Sequence, residues 1–426
     1  MKDLKSFNFT KISDDCVKCG KCIPTCTIYN INKDETTSPR GFLDLLGAYQ
    51  RGDLELDKNA KDIFESCFLC TNCVDVCPND LPVDTMIEQV RNDIRKKYSL
   101  ATYKKVFFYL LRHRFTMDIL AKLGWVFQTC GFKIKKEISS MQPRFNLPLI
   151  KKDRLLPSLK SKTFLNSYPK VIDHGGEGKV GIFIGCLGNY TYTEIGKSLL
   201  EILKELKIDA HLIKKQLCCG APAYFTGDFD TVEYLAKHNI EYFESFIDDL
   251  DAIIIPEATC SAMIKIDYPH FFHDNEEFKQ RAKKLDKKIF MATKWLHDNT
   301  KLKELLEKKG KNLDELITYH DPCHAKKMQG IYKEPRELIS KNYNIVEMED
   351  PNRCCGFGGV TIQSEKFHLA QAAGKPKAKM IKETNAKIVS AECSACRMQI
   401  ANSLNEADVN IEFKNPIELI AKALKN

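Results

Sequence analysis

Cys16-Val17-Lys18-Cys19-Gly20-Lys21-Cys22-Ile23-Pro24-Thr25-Cys26 is followed by Cys67-Phe68-Leu69-Cys70-Thr71-Asn72-Cys73-Val74-Asp75-Val76-Cys77-Pro78, and both runs have the spacing C-x2-C-x2-C-x3-C. Each cysteine of the second run lies 51 residues after its counterpart, so the pair is an internal duplication. The two-residue steps let three thiolates wrap one corner of an iron–sulfur cluster. The fourth cysteine sits slightly farther on and, in two-cluster ferredoxins, ligates the other cluster. The spacing therefore predicts Cys16, Cys19, Cys22 and Cys77 on one [4Fe–4S] cluster. Cys67, Cys70, Cys73 and Cys26 would hold a second. Zinc would need cysteine pairs separated by a longer stretch, not four so close together. Thr27 stands where the ferredoxin pattern has proline, and Pro24 sits inside the run. This changes the expected turn, not the expected ligation.

A second cysteine system fills the C-terminal half. Cys186 is followed by Cys218-Cys219-Gly220 and Cys260; Cys323 is followed by Cys354-Cys355-Gly356, Cys393 and Cys396. Matching positions are offset by 137, 136 and 133 residues when Cys260 is paired with Cys393. This is another duplication. The copies differ at the end. The second carries a complete Cys393-x-x-Cys396, whereas the first reads Cys260-Ser261-Ala262-Met263, which puts Met263 in the place of a cysteine. A thioether is neutral and a weaker iron ligand than a thiolate. The two copies are therefore expected to differ in cofactor. Cys323, Cys354, Cys355, Cys393 and Cys396 could hold a five-thiolate cluster. Cys186, Cys218, Cys219 and Cys260 could hold a four-thiolate one, or could form a site that only packs.

The remaining composition bounds the class. The chain has 426 residues, 43% apolar and 29% charged, as expected for a globular protein of two or three domains. Its 21 Gly and 16 Pro exclude a low-complexity chain. Eighteen cysteines are about 4% of the residues, below the density of a disulfide scaffold. Met1 to Asp15 has no apolar signal core, so a reducing, cytoplasmic setting is expected and clustered thiols point to metal. No run is long and apolar enough to span a membrane.

Val180 to Ile184 is a short apolar run ending at Gly185-Cys186 and reads as a buried strand. Ile195, Leu199, Ile202, Leu203 and Leu206 then recur at helical spacing. Ala252 to Ile255, Leu316 to Tyr319 and Lys387 to Ser390 read as further strands, each just before a cysteine. Alternating strands and helices imply βαβ units and a mostly parallel sheet, with the cysteines at the strands' carboxyl ends where ligands gather. No dinucleotide fingerprint, P-loop or nucleophile elbow is present. Gly175-Gly176-Glu177-Gly178 precedes a strand instead of following one and reads as a hinge. No flavin or NAD is therefore expected on this chain, and no catalytic residue is assigned. His320, Asp321 and His324 flank Cys323 and read as supporting contacts or packing, while Cys130 reads as a buried apolar thiol.

Residues 101–170 hold 15 Lys and Arg against Asp118, Glu137 and Asp153, so this bridge carries +12 of a chain whose net charge is +8. It also contains Val106-Phe107-Phe108-Tyr109-Leu110-Leu111 and Leu123-Gly124-Trp125-Val126-Phe127. Apolar helices edged with basic residues can lie on an anionic membrane surface, with Phe107, Phe108 and Trp125 as the expected inserting side chains. The alternative is a helical linker packed on both neighbours. Nothing resembles a nucleic-acid motif, and no nucleic acid is expected.

Two ferredoxin runs followed by two Cys-Cys-Gly regions resemble the iron–sulfur subunit of glycolate oxidase over nearly the whole chain. The layout is also similar to the corresponding subunit of anaerobic glycerol-3-phosphate dehydrogenase. The Cys-Cys-Gly modules resemble those of heterodisulfide reductase and the lactate-utilisation proteins. Ser38-Pro39-Arg40-Gly41 and Cys67-Phe68-Leu69-Cys70-Thr71-Asn72-Cys73 look like the glycolate oxidase subunit. Tyr319-His320-Asp321-Pro322-Cys323-His324 and Asn415-Pro416-Ile417-Glu418-Leu419-Ile420 look closer to the glycerol-3-phosphate dehydrogenase. The resemblance implies a mixed α+β and α/β multidomain chain. A mostly helical two-cluster ferredoxin domain (1–100) and the basic bridge (101–175) would precede two α/β cysteine-rich CCG domains (176–300 and 301–426). It implies an FAD-containing dehydrogenase partner that oxidises a glycolate- or lactate-type 2-hydroxy acid. This chain would relay the electrons towards a quinone or membrane acceptor through two [4Fe–4S] clusters and one or two more, and would be inactive alone. The complete second copy keeps a rival open: a heterodisulfide-reductase-like catalytic subunit acting on a disulfide.

Overall fold

The computed structural model describes residues 9–148, 150–176 and 178–425. The N-terminal region is helical. Helix Pro39–Arg51 starts where the Ser38 hydroxyl accepts from the Gly41 N–H at 2.9 Å, with Pro39 in the first turn where its missing N–H costs nothing. Helix Val83–Tyr98 buries Met86, Ile87, Val90 and Ile94 against Phe42, Leu46 and Phe64. The same core includes Ile362, Leu369 and Ala370, so the second cysteine-rich copy closes the ferredoxin region.

The bridge is two helices, Thr102–Arg112 and Arg114–Gly131, followed by an antiparallel three-stranded sheet. Its strands are β1 (Phe132–Lys135), β2 (Ser140–Pro143) and β3 (Leu156–Pro157). Phe108 is 1% exposed and packs with Leu111 into the first copy's core. The expectation that Phe108 inserts into a membrane is thus overturned: the helix turns that residue inward. Cys130, expected to be buried, is exposed.

The C-terminal half contains two mainly parallel sheets. The first comprises β4 (Val171–Ile172), β5 (Gly178–Ile182), β6 (Ile208–Leu212), β7 (Ala252–Ile255) and β8 (Ile289–Met291), in the order β4-β6-β5-β7-β8. Only the edge strand β4 is antiparallel. The second comprises β9 (Leu316–Tyr319), β10 (Asn344–Ile345), β11 (Ile388–Ser390) and β12 (Glu412–Lys414), all parallel, in the order β10-β9-β11-β12. Without β4 the two orders are the same, as an internal duplication requires. One continuous core joins them: Ile182, Leu199 and Leu203 of the first copy pack with Ile317, Leu338 and Ile420 of the second. Fully apolar β7 is buried at every position, the pattern of a strand covered on both faces.

Strand register aligns the copies residue by residue. Ile182 pairs with Ile254, and Tyr319 pairs with Ser390. Cys186 lies four residues after Ile182, as Cys323 lies after Tyr319. Counting from the partner strands, Cys260 matches Cys396 and Glu257 matches Cys393. Glu257 and Cys393 are also the residues at which helices Ala258–Ala262 and Ser394–Glu406 begin, in similar extended conformations. Met263 matches Gln399. The expectation that Met263 replaces a cysteine is therefore corrected: the first copy lacks the first cysteine of the pair, and a glutamate stands there.

Candidate iron–sulfur centres

Two hollows open among the N-terminal helices. One is lined by Cys16, Cys19, Cys22 and Cys77, the other by Cys26, Cys67 and Cys70, with Cys73 bordering both. Each hollow thus brings together three cysteines of one run and the last cysteine of the other. Thr27, in the position expected for proline, opens helix Thr27–Asn32 and puts its hydroxyl 3.5 Å from Cys70 Sγ. The Leu69 N–H donates to Cys67 Sγ at 3.4 Å. Burial pushes the Cys67 thiol up to about 12 and also raises Cys26 and Cys73. Such thiols need a bound cation to remain thiolates, and cluster iron would supply one. The donor set fits [4Fe–4S] clusters.

In the first copy, Cys186 follows β5, the Cys218-Cys219 doublet follows β6 and Cys260 follows β7. Their sulfurs form a chain of contacts, Cys186 to Cys218, Cys218 to Cys219, and Cys219 to Cys260. Gly185 has φ +71, and a Cβ there would lie 3.0 Å from Cys260 Sγ, so glycine leaves room for the cysteines to close. Leu110, Leu111, Arg114 and Met117 of the bridge helices cover the site beside Cys186 and Cys218.

The second copy repeats this arrangement after β9, β10 and β11. Gly356 N–H donates to Cys354 Sγ at 3.3 Å, as Gly220 N–H does to Cys218 Sγ at 3.5 Å. Cys396 N–H donates to Cys393 Sγ at 3.3 Å. Hydrogen bonds from Cys354 and Cys396 pull Cys355 down to about 5, and one from Cys396 pulls Cys393 down to about 7. Cys323 Sγ lies 3.4 Å from His324 Nδ1. Cys323 also lies close enough to Cys393 and Cys355 for their charges to interact, so the five cysteines of this copy come together.

Several neighbours carry no sequence motif. Cys70 of the ferredoxin region hydrogen-bonds Cys354 of the second copy, so those two cysteine groups touch. Lys377 is buried, and its ammonium donates to the carbonyls of Asp350 (2.8 Å) and Pro351 (3.4 Å), just ahead of the Cys354-Cys355 doublet. Burial lowers Lys377 to about 8. Arg91 ties the Cys67 carbonyl (2.7 Å) to that of Phe225 in the first copy (2.7 Å). Thr259 of the first copy reaches the second site, 3.6 Å from Cys393 Sγ. Glu257 crosses over as well: its carboxylate accepts from the Ser394 N–H at 2.8 Å and from the Ser394 hydroxyl, and burial raises it to about 7. Cys260 and Cys396 share the 136-residue offset of the doublets, the one sequence signal that pointed to Glu257. Asp321 is held by Lys326 at 2.7 Å and Arg336 at 2.6 Å and serves the fold.

The fold and these groups define a two-cluster ferredoxin module joined to paired cysteine-rich α/β domains. The 4Fe-4S dicluster domain model matches residues 12–81, and the CCG cysteine-rich domain model matches residues 180–265 and 317–401. The chain belongs to the family of the glycolate oxidase iron–sulfur subunit and the lactate utilization A proteins. It is 27% identical to a probable glycolate oxidase iron-sulfur subunit of Bacillus subtilis, over 91% of this chain and 88% of that one. It is 31% identical to lactate utilization protein A of Geobacillus kaustophilus, over 53% of this chain and 91% of that one. One of the subunits of the fumarate reductase (CoM/CoB) of Methanothermobacter marburgensis is 28% identical over 98% of this chain and 74% of its own. A crystal structure of a hypothetical Helicobacter pylori protein shares the fold, with TM-score 0.57 at 10% identity, over 99% of this chain and 75% of that one. The chain is an iron–sulfur electron-transfer protein with an oxidoreductase role.

Proposed function

We propose that this chain is the relay subunit of a flavin-dependent 2-hydroxy-acid dehydrogenase complex. A partner carrying FAD would oxidise a glycolate- or lactate-type acid to the 2-oxo acid, removing two electrons and two protons. Clusters held by the cysteines named above would carry those electrons one at a time towards a quinone or membrane acceptor. The observation that carries the reading is the Cys70–Cys354 contact, which joins the ferredoxin pair to the cysteine-rich pair. It supports a path that enters near exposed Cys19, crosses the second ferredoxin group and the second copy, and ends at the first copy under the bridge helices. Arg91, Lys377 and Glu257 hold the loops along this path.

A second reading has one observation in its favour. A cleft of about 440 Å³ opens between the ferredoxin region and the second copy, lined by Asn72, Asn352, Arg353 and Lys375. A disulfide-reducing subunit would use such a cleft to bring its substrate towards the buried Cys354-Cys355 doublet, which Arg353 immediately precedes in the chain.

Anaerobic co-purification separates the two. The relay reading expects a flavoprotein partner, and bleaching of the clusters by a 2-hydroxy acid only in its presence. Turnover of the acid by the pure, flavin-free chain would refute it.

A further inference from the structure

His320 follows β9 directly and is 1% exposed. Its Nδ1 lies 3.1 Å from the Pro351 carbonyl oxygen. A carbonyl only accepts, so Nδ1 carries the hydrogen, and the neutral ring leaves Nε2 with a bare lone pair. Nε2 is buried and has no hydrogen-bond partner among the described residues. A ring nitrogen of His320 and the sulfurs of Cys355 and Cys396 all lie within 4.8 Å of one another. With its lone pair meeting neither water nor a donor, Nε2 is the ring nitrogen left free to bind iron. Histidines that ligate metals characteristically donate their other ring N–H to a carbonyl or carboxylate, as here. The Pro351 carbonyl is itself fixed, accepting from the Asp321 N–H at 3.0 Å and from Lys377. The same position in the first copy is Phe183, which is fully buried and offers no donor.

We propose that His320 Nε2 is an iron ligand of the second cysteine-rich site, a nitrogen donor beside the five thiolates and absent from the first. The proposal rests on the reading that the second copy holds an iron–sulfur cluster. A neutral imidazole leaves the site less negative than another thiolate would. It raises the reduction potential, as histidine ligands do where they replace cysteine.

The test uses the full chain, loaded anaerobically with iron and sulfide. The signal of the second site is the paramagnetic signal that Cys355→Ser removes. Pulsed resonance should find a directly bonded nitrogen coupled to that signal, and labelling histidine with the heavy nitrogen isotope should change the coupling. His320→Phe should abolish the coupling, and His320→Cys, which puts a thiolate in its place, should shift the midpoint potential of the signal downward, both leaving the ferredoxin signals unmoved. The labelling arm needs no variant, so it stands if His320→Phe loads poorly. A Cys355-dependent signal without histidine nitrogen coupling, or a coupling that survives His320→Phe, would overturn the ligand assignment alone. Absence of any Cys355-dependent signal in the unaltered chain would overturn both the assignment and the reading beneath it.

Discussion

At the scale of single residues, buried polar groups decide more than the motif cysteines reveal. His211 sits in β6, stacked on Phe246 with ring centroids 4.7 Å apart and Nε2 unpartnered among the described residues. Burial, helped by Lys170 and Lys179, lowers it from 6.5 to about 4. A depressed histidine binds protons more readily when unfolded. Its contribution is complete above about pH 6.5 and is lost as the pH falls towards 4. His211→Phe should retain the stacking and remove about 1–2 kcal/mol of that acid-dependent loss, after allowance for partial screening. Denaturant titrations at neutral and mildly acidic pH check this; equal losses in both proteins would refute it. Glu257 makes a second case. Met263 packs with its methyl group near Gly220, and strand register matches it to Gln399, not to a cysteine. Met263→Cys should leave the spectrum of the first site unchanged, whereas Glu257→Cys should change it by supplying the missing thiolate. The reverse result would restore the pairing of Met263 with Cys396.

Elements raise the question of what the bridge helices face. Helix Arg114–Gly131 buries only Gln128 and exposes Phe115 (78%), Phe127 (63%), Ile119, Leu123 and Val126. These recur at helical spacing along one side, within the segment of +12 charge. An exposed apolar face of this kind can serve as an interaction surface, and the charge would favour an anionic membrane as its partner. Among the described residues, no helix is long and apolar enough to cross one. The chain should sediment with anionic vesicles at low salt and release at high salt. Phe115→Ala with Phe127→Ala should weaken that binding at little cost in stability. Phe108→Ala should instead cost about 3–5 kcal/mol and lower Tm, because it empties a core position. Binding to neutral and anionic vesicles alike at every salt concentration would reject the electrostatic part.

For the whole molecule, the cysteine groups form one series because three regions meet at the second copy. Cys70 arrives from the ferredoxin region, Thr259 and Glu257 arrive from the first copy, and Arg91 pins the first two regions together. Iron per chain should be about sixteen if all four groups are loaded, or about twelve if the first copy only packs. Cys355→Ser should remove or convert one signal and spare the ferredoxin pair. A content near eight irons, unchanged by that replacement, would mean that the duplication is structural only.

The sequence by itself determined the two duplications, the clustering of cysteines within each N-terminal run, the strands before Cys186, Cys260, Cys323 and Cys393, and the parallel sheets. Those features follow from local spacing: a C-x2-C step dictates how close two thiols can come, and a short apolar run between turns has few ways to be buried. Tertiary structure decided what depends on register and on which face a helix turns inward. Glu257 rather than Met263 marks the missing ligand because strand pairing in the two copies sets the count, whereas matching Cys260 to Cys393 shifts the alignment by three residues and puts the missing ligand six residues too far on. Phe108 is core and Phe115 is surface because one helix packs on the first copy and the next leaves its apolar side unpaired. The bare Nε2 of His320, the ammonium of Lys377 and the contact between Cys70 and Cys354 arise between segments hundreds of residues or several elements apart. No local pattern encodes them; only the closed core brings them together.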